Sequence, residues 1–76
     1  MAAKADLQEW VLEALRDSGG EAHLTTIAKH IWEKHEAELR ASGDLFYTWQ
    51  YDMRWQAQHL KKAGKLEKLS RSWRLA

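Results

Sequence analysis

Apolar residues recur along this chain at two periods, and the change from one to the other marks its elements. In DLQEWVLEALRDS, Leu7, Val11, Ala14 and Leu15 stand three or four apart, with Trp10 and Leu12 beside them. That spacing is one face of a helix. Asp6 followed by Glu9 has the spacing of a capping arrangement. Gly19-Gly20 ends the pattern, one of them in the left-handed conformation that closes a helix. A first helix is predicted over 6–18. Ala22-His23-Leu24 is too short for an independent strand and reads as an edge strand paired later.

A second stripe follows in Ile27, Ala28, Ile31 and Trp32, with Leu39 extending it, while Glu33, Lys34, Glu36 and Glu38 face water. Thr25 or Thr26 is the expected cap, and the helix is predicted over 26–41, ending before Gly43. A third stripe joins Trp49, Met53, Gln56 or Ala57, Leu60 and Ala63. Thr48 or Asp44 caps it, Gly64 stops it, and Lys61 and Lys62 suit its negative end. This helix is predicted over 48–63.

The period then drops to two. Trp73 and Leu75 share one face and Arg74 the other, as in a strand. The reading is a hairpin over 65–75: Lys65 to Leu69, a turn at Ser70-Arg71-Ser72, then Trp73 to Leu75. Leu66 and Leu69 are three apart, which calls for a bulge or an early strand end. A lone two-stranded hairpin is marginal in water. Pairing residues 22–24 onto it gives three strands, with Trp73 and Leu75 sealing the open end of a three-helix core.

The expected architecture is therefore mainly α with a small antiparallel β wing. Its order is helix, short strand, helix, helix, hairpin, the order of a winged helix-turn-helix. With 76 residues the chain makes one domain over 1–76. A domain this small buries only about 60% of the surface its unfolded chain exposes, so a few of its five tryptophans would supply most of its core.

Composition narrows the function. The absence of cysteine excludes disulfides and thiolate zinc sites. No apolar run approaches the roughly 20 residues of a membrane span, and MAAKADLQEW is too polar for a signal peptide. The expectation is a soluble, cytoplasmic protein with no membrane partner. The net charge of +1 conceals an asymmetry. Residues 1–44 carry five Lys/Arg against nine Asp/Glu, for −4, and residues 45–76 carry seven against two, for +5. A basic half beside an acidic half suggests one face for an anionic partner. A solvated, lysine-rich helix end would give the same count.

Three stretches carry a resemblance over about residues 10–75: VLEALRDSGGEAH, TTIAKHI and RWQAQHLKKAGKLE. The chain resembles a winged-helix domain, and within that class the N-terminal domain of Mrr-type restriction proteins. The third stretch is the most specific, with its tryptophan, its leucine and a Lys-Lys-Ala-Gly turn into the wing. Gln56 departs from the small apolar residue usual after that tryptophan. The nuclease domain that follows in those proteins has no counterpart in these residues, so no nuclease activity is implied. The resemblance implies DNA binding through the third helix and the wing.

On that helix, the side opposite the apolar stripe offers Gln50, Tyr51, Arg54, Gln58 and Lys61. Arginine pairs bidentately with guanine and glutamine with adenine, while tyrosine and lysine reach phosphates. Tyr47 and Thr48 lie near the helix start, where a phosphate binds well. In the wing, Ser70, Arg71 and Ser72 suit a backbone clamp, flanked by Lys68 and Arg74. The same residues also suit an ordinary solvated face and a polar turn.

FYTWQYDMRW, residues 46–55, holds five of the eight aromatics. Phe46 is read as a hydrophobic staple before the helix and Trp55 as a widening of the core. His23, His30, His35 and His59 show no metal-ligand spacing. No nucleophile-and-base arrangement emerges, so no catalysis, cofactor or metal is expected. The expectation is a double-stranded DNA-binding module, a small transcriptional regulator or a nucleoid-associated factor. The alternative is a protein-interaction module on the same scaffold, and a homodimer is compatible with either.

Overall fold

In the computed structural model, which describes residues 3–76, the elements are α1 (Asp6–Asp17), β1 (Glu21–His23), α2 (Leu24–Arg40), α3 (Leu45–Lys62), β2 (Leu66–Lys68) and β3 (Ser72–Leu75). The protein is mainly helical, with one small antiparallel sheet. The domain expected over 1–76 is thus described except for its first two residues.

Helix α1 buries Leu7, Trp10, Val11, Ala14 and Leu15, and it packs against both α2 and α3. Asp6 does not cap it in the expected way. Its carboxylate reaches back to accept from the Ala3 N–H at 2.8 Å, because a tight turn from Ala3 already precedes the helix. Helices α1 and α3 end alike. Gly20 N–H donates to the Leu15 carbonyl at 2.7 Å and Lys65 N–H to the Leu60 carbonyl at 3.0 Å, each closing a Schellman motif around a left-handed glycine. Gly19 and Gly64, with φ of 83° and 75°, supply that conformation without the strain a Cβ would bring. Each turn delivers the chain directly toward a strand.

Helix α2 begins two residues earlier than expected. His23, not a threonine, is its cap: the imidazole Nδ1 accepts from the Thr25 N–H at 3.1 Å. Leu24 therefore belongs to the helix and the strand shifts to Glu21–His23. Helix α3 begins at Leu45, three residues before Thr48, and Asp44 stands at the cap position without a side-chain hydrogen bond to the helix, so neither expected cap bond forms. Thr48 lies inside the helix, where its hydroxyl donates to Asp52 Oδ2 at 2.7 Å. Phe46 is also inside the helix and is no staple. Its ring lies 6.2 Å from Trp32 of α2, and Trp32 stacks on Trp49 at 6.3 Å. The Arg40 guanidinium covers both Trp32 and Phe46, at 5.3 and 5.5 Å from the ring centres. This cluster joins the end of α2 to the start of α3 across the turn 41–44. At the far end of α3, Ala63 is exposed beyond the stripe.

The sheet has the order β1-β3-β2, so the hairpin takes the early strand on its open edge as expected. The register of β2 and β3 pairs Leu66 with Leu75, Glu67 with Arg74 and Lys68 with Trp73. It continues without a bulge to the Leu69 N–H bond to the Ser72 carbonyl at 2.8 Å. The two leucines fall on opposite faces: Leu66 is buried and Leu69 exposed. The turn tightens to Ser70-Arg71, and Ser72 enters β3. Leu66, Lys68, Trp73, Leu75 and Ala22 share the face toward the helices, and Glu21, Glu67 and Arg74 the other.

Candidate nucleic-acid interface

An α-helix turns about 100° per residue, and α3 uses that angle to divide its residues. Leu45, Trp49, Asp52, Met53, Ala57 and Leu60 face inward. Gln50, Tyr51, Arg54 and Lys61 face outward and are exposed, as expected of them. Tyr47 is 82% exposed, with its ring edge-on to Phe46 at 5.0 Å. Thr48 is exposed too, but its hydroxyl proton is committed to Asp52.

Trp55 does not widen the core. It is 51% exposed and stands edge-on to Tyr51, which is 64% exposed, at 6.2 Å. The helical angle accounts for this. Trp55 lies about 200° round from Met53 but only about 40° from Tyr51, so its size could not bring it inward. Gln56 takes the inward side instead, where its carbonyl accepts from Gln8 of α1 at 2.7 Å.

Strand β2 lies along the outward face and adds Lys68. Its ammonium donates to Gln58 Oε1 at 3.2 Å and sits 5.7 Å from the Trp73 ring centre. Burial lowers the Lys68 pKa below the ordinary lysine value, and the like charges of Lys61 and Arg54 lower it further. Gln58, Lys61, Lys68 and Arg54 are thus brought together. Lys62, which the sequence did not single out for this face, joins them.

The rest of the wing divides. Ser70 and Arg71 are exposed at the turn, while Ser72 is half-buried in β3. Arg74 lies on the opposite face of the sheet from Lys68. Its guanidinium contacts Glu67 at 2.9 Å and approaches Glu21 at 4.0 Å, so it belongs to a cross-strand ion cluster and not to the basic group.

Two grooves flank the outward face. One, about 710 Å³, lies between α2 and α3 against Trp32, Phe46, Trp49 and Met53, with Lys29, Gln50 and Arg54 also lining it. The other, about 530 Å³, is lined by Tyr51, Arg54, Trp55, Gln58, Lys62 and Lys68. Arg54 borders both. Carboxylates lie elsewhere: among the described residues, every ion pair of Glu9, Glu13, Asp17, Glu36 and Glu38 is made within α1 and α2. None of the described ion pairs involves Arg54, Lys61, Lys62 or Lys68.

No group of three or more His, Cys, Asp or Glu among the described residues could hold a metal ion. No described helix is long and apolar enough to cross a membrane. No protein-family model, curated protein or solved structure matches the chain.

Proposed function

We propose that the chain is a winged helix-turn-helix module that binds double-stranded DNA, with α3 in the major groove and the β2–β3 wing on the backbone. It would serve as a small cytoplasmic regulator or nucleoid-associated factor, without catalytic activity. The order α1-β1-α2-α3-β2-β3 supports the architecture, as does the likeness of RWQAQHLKKAGKLE to the N-terminal domain of Mrr-type restriction proteins.

The observation that carries the function is the group Arg54, Lys61, Lys62 and Lys68. Four cations share one side of the molecule without a carboxylate partner among the described residues, and burial, with the like charges of Lys61 and Arg54, lowers the proton affinity of Lys68 among them. Such a cluster is relieved by an anion with spaced charges, and a phosphate backbone is one. Gln50, Gln58 and Arg54 add the donors and acceptors that read base edges.

The test is fluorescence anisotropy with a labelled duplex across a salt series. Neutralising four phosphates gives a slope of log K against log salt of roughly −3 to −4. Absence of binding at low salt, or a slope unchanged in the Arg54→Ala/Lys61→Ala variant, would overturn the proposal.

One observation favours a second reading, a protein-interaction module. Tyr47, Tyr51 and Trp55 are exposed rings next to an arginine, the residue types enriched at protein interfaces. Self-association or partner binding that maps to these rings, with no duplex binding, would favour it.

A further inference from the structure

We infer that the groove between Tyr51 and Trp55 of α3 and Lys68 of β2 holds an unpaired nucleotide of a nucleic-acid strand, base on the rings and phosphates on the cations. The inference rests on reading the basic face of α3 as a nucleic-acid surface, and it adds a preference that duplex binding alone does not contain.

The rings are the first reason. Tyr51 and Trp55 are four residues apart on one helix, and both are more than half exposed. Neither serves the core. Their planes meet at 65°, so the edge of one ring meets one face of the other, and the contact does not take up their remaining faces. A flat aromatic face in a basic groove is what an unstacked base requires, and every base has a matching face. A paired base inside a duplex presents only its edge to a groove, so these faces would go unused there.

The cations are the second reason. Arg54 and Lys62 lie on the same stretch of α3 as the rings, and Lys68 lies across from them on β2. A strand laid between the two elements meets positive charge on both sides. Lys68 is half-buried, is held by Gln58, and loses proton affinity to burial and to Lys61 and Arg54. A phosphate at that position removes the repulsion. The groove, about 530 Å³, is large enough for one nucleotide.

The experiment compares a short blunt duplex with the same duplex carrying a single-stranded thymidine overhang, at one salt concentration. The overhang is expected to bind roughly 5- to 150-fold tighter, the range spanned by one base–aromatic stack. Trp55→Ala should abolish that preference and leave affinity for the blunt duplex unchanged. Trp55→Phe should keep part of it. Quenching of tryptophan fluorescence by the overhang should disappear with Trp55→Phe.

Equal affinity for the two substrates would overturn the inference while leaving the duplex reading intact. A preference that survives in both Trp55→Ala and Tyr51→Ala would also overturn it. Failure to bind either substrate at low salt would remove both readings together. Competition by thymidine monophosphate as strong as by the overhang would overturn the commitment to a strand, since a mononucleotide lacks the neighbouring phosphates that Arg54, Lys62 and Lys68 address.

Discussion

The imidazole of His35 lies flat on the indole of Trp10, with ring centres 4.0 Å apart and planes 8° from parallel. Both ring nitrogens meet carboxylates: Nε2 is 3.1 Å from Glu13 of α1 and Nδ1 2.9 Å from Glu38 of α2. A neutral imidazole has one N–H and donates to one of them, whereas the doubly protonated ring serves both. The backbone of α2 leaves helical geometry at this residue, with φ −128° and ψ 20°. His35 therefore ties the two helices together at the place where α2 bends.

Replacing His35 with alanine removes an aromatic stack and at least one hydrogen bond to a carboxylate. The stack contributes about 0.5–1.5 kcal/mol and each net hydrogen bond about 1 kcal/mol when partly buried. Loss of about 1–3 kcal/mol is expected in urea unfolding, or a drop of about 4–8 °C in Tm per kcal/mol. His35→Phe should recover part of it through the stack alone.

Asp52 is a buried carboxylate on α3. Thr48 donates to it at 2.7 Å, and Lys4 stands 3.7 Å away with its side chain mostly exposed. Thr48→Val leaves the carboxylate without its donor and should cost about 1–3 kcal/mol. Lys4→Ala should cost under about 1 kcal/mol, because one partner is in solvent. A double-mutant cycle of Thr48→Val with Asp52→Asn should show coupling between those two positions.

Trp55→Ala should change folding stability by no more than about 0.5 kcal/mol, as surface substitutions usually do. Trp49→Ala should cost about 3–5 kcal/mol, because that ring is buried against Trp32. Denaturant melts of the two variants decide this directly. An equal cost for both would contradict the exposed position of Trp55.

Changing both Arg54 and Lys61 to alanine should make the salt slope of duplex binding shallower by about 2. Arg74→Ala should leave the slope unchanged, since Glu67 and Glu21 already hold that guanidinium on the other face of the sheet. The contrast separates the location of charge from its amount.

Lys68 makes the pH dependence testable. Its folded pKa lies below the 10.5 of an ordinary lysine, so between the two values the unfolded chain binds more protons than the native one. Stability therefore rises with pH through that window. Lys68→Met should remove this rise and leave the fold as stable or more so, while weakening duplex binding. A bound phosphate favours the ammonium form, so affinity should fall as pH climbs through the same window. Urea melts and anisotropy over an alkaline series check the two signs.

Much of the fold was legible in the chain because two periodicities and four glycines mark it. The stripe through Leu7, Val11 and Leu15 and that through Trp49, Met53 and Leu60 each recover a helix. The alternation Trp73-Arg74-Leu75 recovers the central strand. The start of α1 at Asp6 was legible, but those of α2 and α3 were not: α2 is capped by an imidazole, that of His23, and α3 begins at Leu45 with no side-chain cap at all. The bend at His35 has no Gly or Pro to announce it, and the ring on which that residue stacks, Trp10, lies 25 residues earlier in the chain.

The candidate site was legible in part. Arg54, Gln58 and Lys61 follow from the helical angle alone. Trp55 obeys the same angle, which puts it beside Tyr51 on the outward face and not in the core. Arg74 was misplaced for another reason: alternation assigns it a face, but only the cross-strand register reveals the two glutamates waiting there.

The central strand of the sheet is β3, although it is the last element in chain order. Glu21–His23 must wait for Ser72–Leu75, some fifty residues on, before its backbone has a partner. On a ribosome the three helices emerge first, with β1 as a bare edge between two of them. Closing that long loop gives β1 its partner, whereas Lys68 and Gln58 stand only ten residues apart. The basic face, from Arg54 to Lys68, is thus built by one local stretch of chain, and the long-range pairing of β1 with β3 contributes none of its cations.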